Sequence, residues 1–302
     1  MPARAAILLA TFNGAQFLPA QLDSFARQTA DWVLYWRDDG STDETAAVVQ
    51  AFAAGPGAGR CVHVADPPGR LGPTGNFMAL LRTVPGVEAV AFADQDDVWL
   101  PDKLALGLAA LAPHTEPTLY CSRQLLVDAE LRPLGESGPL DTPPPFPAAL
   151  TQNVATGCTV MMNPAATALI ARSRPPTSSL HDWWSYLVVS AHGGSLVADP
   201  TPTVMYRQHP ANVVGAPQSM RRRAVAALAR GPDVFMNVLR AHVAALRAQP
   251  ELVSPNAAAT LDVIHRGLHG GLRERLAALR LQGMRRQTWQ ETLLFRWWFL
   301  VG

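Results

Sequence analysis

The sequence predicts an α/β fold, a mostly parallel central sheet with helices on both faces, plus a helical C-terminal extension. Three observations predict it. Continuous apolar runs alternate with amphipathic segments over the first 112 residues. Each of the clearest runs ends in a short polar turn rich in Asp, Asn or Gly. From Met220 onward the pattern is helical, with turn signals at Gly231-Pro232, Pro250 and Gly270-Gly271. The expected division is an α/β domain over 1–215 and a basic helical region over 216–302.

Ala5 to Ala10 is unbroken apolar sequence, as a parallel strand covered on both faces should be, and Thr11-Phe12-Asn13-Gly14 ends it. A helix follows, with Phe17, Leu18, Leu22 and Phe25 at helical spacing. Trp32 to Trp36 is a second strand, stopping at Arg37-Asp38-Asp39-Gly40-Ser41-Thr42-Asp43-Glu44. Gly40 permits a tight turn, and Ser41 or Thr42 can cap the helix that carries Val48, Val49 and Phe52. Cys61 to Val64 is a short strand, Asp66 to Gly75 a Pro/Gly loop and Asn76 to Leu81 a helix. After residue 112 the expected elements are strands at 119–121 and 156–162 and a helix opened by Pro164. A further helix runs from Leu180 to about His192, then come two short strands, 195–198 and 203–206. Five prolines between Pro139 and Pro147 exclude regular structure there.

The chain is organised around Phe92 to Leu104. An apolar run, Val87 to Ala93, enters three carboxylates, Asp94, Asp96 and Asp97, and Pro101 then opens a helix with Leu104, Leu108 and Leu111 on one side. Carboxylates held this close repel one another, so such a site normally includes a hard cation, Mg²⁺ or Mn²⁺. An isolated D-x-D is equally compatible with an acidic turn that caps the next helix. Four polar stations, Thr11–Gly14, Asp38–Ser41, Asp94–Asp97 and Arg207–Asn212, follow apolar strands. In a doubly wound sheet such stations converge on one edge, where a nucleoside diphosphate and its metal would fit.

The formal net charge of +1 hides an asymmetry: residues 1–215 carry a net charge of −7, and residues 216–302, with 13 Arg, no Lys and 5 acidic side chains, carry +8. Cys61, Cys121 and Cys158 are odd in number and far apart, which points to reduced thiols in a cytoplasmic protein. The first apolar run is too short for a signal peptide, and no window reaches the length of a transmembrane helix.

Five motifs in order give the chain a resemblance to the family 2 glycosyltransferases of the GT-A fold, covering roughly residues 4–215. They are Ala10–Gly14, Asp38-Asp39-Gly40-Ser41-Thr42-Asp43, Ala93-Asp94-Gln95-Asp96-Asp97-Val98-Trp99, His181-Asp182-Trp183-Trp184 and Tyr206-Arg207-Gln208-His209-Pro210-Ala211-Asn212. The wording of the last three looks most like rhamnosyltransferase-type members that build bacterial surface polysaccharides such as O-antigen. The resemblance implies that Thr11 and Asn13 cradle the nucleotide. It implies that Asp39, with Asp38 beside it, hydrogen-bonds the base. Asp96 would be the direct metal ligand, while Asp94 reaches the ribose or a metal-bound water. His209 would be a second metal or diphosphate contact, Arg207 would neutralise phosphate charge and Asp182 would be the catalytic base. The loop Leu71–Phe77 resembles a donor-binding loop and contributes Asn76, but it has Gly75 where the family often has a basic residue; Arg70 is the available substitute.

The chemistry has its own logic. A sugar nucleotide already carries a good leaving group, so the diphosphate must be neutralised as it departs, which a divalent cation can do. A single carboxylate opposite that group then suffices to deprotonate the acceptor hydroxyl in an inverting displacement, unlike the carboxylate pair of glycoside hydrolases. Asp182 at a helix start would be kept ionised by the helix dipole. Trp183 and Trp184 could stack on sugar faces as an acceptor platform, or could simply be core. The resemblance alone implies the donor: the expected reaction moves L-rhamnose from dTDP-L-rhamnose onto a glycan or lipid-linked saccharide. UDP-galactose or UDP-N-acetylglucosamine is the alternative donor. A Mg²⁺-dependent phosphatase or nucleotidyltransferase would use Asp94 and Asp96 but not Asp182, and a silent sugar-nucleotide binder would bind donor without turnover.

Arg221-Arg222-Arg223, Arg285-Arg286 and Arg296-Trp297-Trp298-Phe299 set cations and aromatics on the C-terminal helices. Two readings stand: peripheral contact with an anionic membrane surface through residues 216–302, or a face packed on protein. Nucleic acid is not an expected partner, because the acidic domain would repel phosphate. The oligomeric state is left open.

Overall fold

The computed structural model describes residues 4–139, 146–209 and 220–302, and for 220–232 the backbone alone. Most of the Pro-rich loop, Pro210 to Asn212 and the side chains of Arg221–Arg223 therefore lie outside the described residues. The chain divides into two compact units. One comprises residues 1–143, 155–172 and 195–215; the other comprises 144–154, 173–194 and 216–302.

The first unit holds the whole sheet. In chain order its elements are β1 (Arg4–Thr11), α1 (Leu18–Ala26), β2 (Asp31–Asp38), α2 (Thr45–Ala54), β3 (Cys61–His63), α3 (Gly72–Thr83) and β4 (Ala89–Ala93). Then come β5 (Val98–Trp99), α4 (Lys103–Leu111), β6 (Thr118–Val127) and β7 (Pro133–Glu136). The strand order is β3-β2-β1-β4-β8-β6-β9-β5, with β7 paired to β6, where β8 is Met161–Met162 and β9 is Ser195–Arg207. The pairs β1/β2, β1/β4, β2/β3 and β6/β9 are parallel. The central strands are buried almost without a break, and successive side chains point to opposite faces of the sheet. Ile7, Leu34 and Ala91 pack with Leu22, Phe25, Val49 and Leu104 of α1, α2 and α4. Phe92 points the other way and meets Phe77 of α3 edge-on, with ring centroids 5.2 Å apart. Helices on both faces explain why these strands read as continuous apolar runs.

The second unit is helical among its described residues. With α6 (Pro164–Arg172) belonging to the first unit, it contains α5 (Ala148–Thr151), α7 (His181–His192), α8 (Met220–Arg247), α9 (Pro255–His269), α10 (Leu272–Leu279) and α11 (Trp289–Val301). Local chemistry sets the ends. Gly193 closes α7 at φ 93°, a left-handed conformation open to glycine. Ser254 caps α9 ahead of Pro255, and Thr288 caps α11 by accepting from the Glu291 N–H.

Three expectations change. The strand expected over 156–162 is mostly a 3₁₀ turn, Gly157–Thr159, closed by Thr159 N–H to Thr156 O at 2.8 Å, and only Met161–Met162 pairs. The two short strands expected at 195–198 and 203–206 are one strand, β9, because its register against β6 shifts around Ser122 and Arg123 and absorbs Pro200 and Pro202. The helix expected from Asn76 starts four residues earlier, at Gly72, with Pro73 in its first turn.

Candidate active site

The acidic turn, Asp94 to Asp97, joins the buried β4 to β5 and is held from several sides. The Gln21 side chain of α1 donates to the Asp94 carbonyl at 2.8 Å. The Gln95 amide makes a reciprocal pair with the backbone of Phe12, accepting from its N–H at 2.9 Å and donating to its carbonyl at 3.0 Å. A Cβ at residue 14 would come within 2.2 Å of the Gln95 Oε1, so Gly14 is required for that pair to form. The first and third polar stations are thus stitched together by a residue, Gln95, that the motif reading passed over.

The second station is tied to the first. Thr11 Oγ1 donates to Asp38 Oδ1 at 2.9 Å. The Asn13 N–H donates to Ser41 Oγ and its side-chain carbonyl accepts from the Thr42 N–H, both at 2.8 Å. Asn13 sits at φ 46°, which asparagine tolerates. Asp38 also accepts from the Ser41 hydroxyl and from the Gly40 and Ser41 N–H groups, so both its oxygens are engaged within the turn. Asp39 is 4% exposed and pairs with the buried Arg37 at 2.9 Å. It accepts from the Leu71 N–H at 2.7 Å and the Gly72 N–H at 2.8 Å, while Arg37 donates to the Pro67 and Gly69 carbonyls. The pair therefore clamps the 67–72 loop. Asn76 is buried in α3, donates to the Arg37 carbonyl at 3.3 Å, and its Oδ1 has no partner among the described residues. Beside this clamp lies a cavity of about 380 Å³ whose lining includes Trp36, Asp38, Gly40, His63, Gly69 and Arg70. Trp36 and His63 are stacked at 4.2 Å, and the Arg70 guanidinium lies 3.9 Å from the Phe12 ring centroid.

At the acidic turn, His209 Nε2 is 2.8 Å from Asp96 Oδ2, and its ring packs 4.7 Å from Phe17. Arg207, expected at phosphate, is 3% exposed; it donates to the Asp96 and Ala129 carbonyls and lies over Phe17 at 4.6 Å. It braces the turn from below, and its N–H donates to Asp97 Oδ1 at 3.1 Å. Asp97 is fully buried. Burial first, and then the charges of Asp96 and Asp94, push its carboxyl well above the ordinary range. Asp94, Asp97 and Cys158 offer ligand atoms within 4.8 Å of one another. Burial also raises the Cys158 thiol well above its usual value, and a protonated thiol is a poor ligand for a hard cation. Lys103 Nζ is buried 4.7 Å from the Trp99 ring centroid, and burial lowers its pKa to about 8. Crowded carboxylates, two of them partly accessible and one joined to an imidazole, are donors of the kind a divalent cation takes.

Asp182 lies in the second unit, in the first turn of α7, and is 8% exposed. Its Oδ1 accepts from the Trp183 N–H at 2.6 Å, and it sits at the positive end of the helix dipole. Trp184 is fully buried and donates to Ser173 Oγ at 2.7 Å. It is core, which corrects the expectation that it offers a face to sugar. Trp183 donates to the Ala149 carbonyl and meets His242 edge-on at 4.8 Å. His242, hydrogen-bonded to Ser179 at 2.7 Å, and His181 are both buried; burial lowers their pKa values to about 4 and about 3.

Both imidazoles are neutral in the fold and charge on unfolding below their usual pKa. Their contribution is intact above about pH 6.5 and declines as the pH falls toward 4, by at most about 1.4 kcal/mol per pH unit for each group. The melting temperature should therefore fall on acidification through this window, and His242→Leu should flatten the fall. A profile unchanged by that substitution would rule out His242 as a cause.

Comparison with known proteins adds three findings. Residues 6–133 match the description Glycosyl transferase family 2. It is 26% identical over 232 residues to the dTDP-rhamnosyl transferase RfbG of Shigella flexneri, covering 71% of this chain and 76% of that one. It is 35% identical over 116 residues to a PGL/p-HBAD biosynthesis glycosyltransferase of Mycobacterium bovis, of which it spans only 43%. The solved structure of Staphylococcus aureus TarS residues 1–349 with UDP superposes with a TM-score of 0.58 at 16% identity, over 92% of this chain and 75% of that one. In the longer TarS chain the match spans 43% of the length, with a TM-score of 0.56. The fold is GT-A-like.

Proposed function

From the match of residues 6–133 to the family 2 glycosyltransferases, we propose an inverting, metal-dependent transfer of a sugar from a nucleoside diphosphate to a glycan or lipid-linked saccharide. The observation that carries this reading is the Asp96–His209 pair on the acidic turn after β4, in the unit that also holds the cavity beside Asp38 and Gly69. Asp96 and His209 would hold Mg²⁺ or Mn²⁺, with Asp94 reaching the ribose or a metal-bound water. When bound, the cation supplies a Lewis acid for the departing diphosphate. Thr11, Asn13, Asp38, Asp39 and Asn76 shape the donor side, most of them by holding loops in place. Asp182 takes the proton of the acceptor hydroxyl as that oxygen attacks carbon 1 of the sugar. The best donor is dTDP-L-rhamnose, supported by the likeness to RfbG. A UDP-hexose is the second reading.

Thermal melting of the whole chain with dTDP, UDP and GDP ligands, with and without Mn²⁺, tests the proposal. A ligand that binds only the folded state raises the melting temperature. A metal-dependent rise, largest for dTDP or dTDP-rhamnose, is expected. Asp96→Asn should raise the Mn²⁺ needed for that rise by on the order of 10²-fold. A larger rise with UDP ligands would replace the sugar and keep the mechanism. No rise with any of them, in folded protein, would sink the transferase reading.

A further inference from the structure

The helical unit carries a surface that sugar transfer does not use. On α11, Phe295, Trp298 and Phe299 are buried, and Phe295 and Trp298 each lie 5.9 Å from the Phe235 ring of α8. The opposite side of the same helix is also apolar. Trp289, Leu293, Trp297 and Val301 are 70%, 57%, 54% and 58% exposed and fall four residues apart. At 1.5 Å per residue they form a stripe about 18 Å long. Gln290 and Arg296 are the polar members of that exposed side. The helix is well anchored: Thr288 caps its start, and Arg275 and Arg240 donate to the carbonyls of Leu300 and Gly302 at 2.6 and 2.5 Å. On α10, Leu272 and Leu276 are exposed at the same spacing. Four apolar side chains aligned on one helix exceed the scattered exposure that needs no explanation.

Charge selects the occupant. Residues 216–302 carry a net charge of +8, with Arg273, Arg280, Arg285 and Arg296 exposed on or beside α10 and α11. A second copy would bring the same positive charge against it, whereas an anionic lipid surface neutralises it. No helix among the described residues is long and apolar enough to cross a membrane. We infer that α11 lies flat on an anionic lipid surface, with Trp289, Leu293, Trp297 and Val301 entering the headgroup–acyl boundary and the neighbouring arginines meeting lipid phosphates. The inference rests on this helix face, so it can fail while the transfer chemistry stands.

Flotation of the whole chain on vesicles tests it, using phosphatidylcholine alone and phosphatidylcholine mixed with phosphatidylglycerol. Recovery on the anionic vesicles, reduced by salt, is expected. The double variant Trp289→Ser, Trp297→Ser should lower the partition coefficient at least about tenfold, because both rings are exposed and their loss leaves the core intact. Unchanged melting and an unchanged nucleotide response would establish that the variant is folded. Arg273→Gln with Arg296→Gln keeps the stripe and should remove the preference for phosphatidylglycerol. Three results would each overturn the proposal: no flotation of the wild type, flotation of the serine variant equal to wild type, or a wild-type dimer that ignores vesicles and dissociates in the serine variant.

Discussion

Replacing Asp182 with Asn is expected to lower acceptor-dependent release of nucleoside diphosphate by about 10² to 10⁴-fold, the range that a positioned general base contributes. Asn has almost the same shape and can still accept from the Trp183 N–H, so α7 should keep its start. It cannot take a proton. Donor binding, read as the metal-dependent rise in melting temperature, should persist. Single-turnover assays would place the loss in the chemical step and leave the apparent affinity for donor within a few-fold of wild type. Full turnover by the Asn variant would point instead to hydrolysis or nucleotidyl transfer at the acidic turn, which needs no base at residue 182.

The second large effect is on stability. Asp39→Ala should cost about 3–5 kcal/mol, because it leaves the Arg37 guanidinium buried at 2% exposure without its carboxylate. For a chain of this size that is a fall of roughly 10 °C in melting temperature. The double variant Arg37→Met, Asp39→Leu should recover most of the loss, since an apolar pair of similar volume removes the unpaired charge. It should not recover nucleotide binding, because the carboxylate also accepts from the Leu71 and Gly72 N–H groups and so sets the loop beside the cavity. A single variant that melts like wild type would show that the clamp adds no net stability. Recovery of both properties in the double variant would show that the loop does not depend on it.

The parallel half of the sheet was legible because its strands are buried on both faces. Ala5–Ala10, Trp32–Trp36 and Ala89–Ala93 are the apolar runs of β1, β2 and β4. The later half was less legible. β5 is two residues long, β9 crosses prolines through a register shift, and Gly157–Thr159 turns where its apolar sequence suggests a strand. Short and irregular elements like these take their form from neighbours that sequence spacing cannot reveal.

What the amino-acid sequence determined by itself was the chemistry available: three carboxylates after a buried strand, a histidine after another, an aspartate at a helix start and a basic, aromatic C-terminal region. Those follow from residue type and periodicity, which are local. Which polar atoms are spent on holding the fold was decided only in three dimensions. Asp38, Asp39 and Arg207 are bound to turn, loop and backbone, Gln95 joins two stations, and Trp184 is core. The same holds for α11, whose apolar residues look alike in sequence until packing buries Phe295, Trp298 and Phe299 and leaves Trp289, Leu293, Trp297 and Val301 in water. A side chain's partners depend on residues as distant in sequence as Phe12 is from Gln95, and only the folded chain brings them within hydrogen-bonding reach.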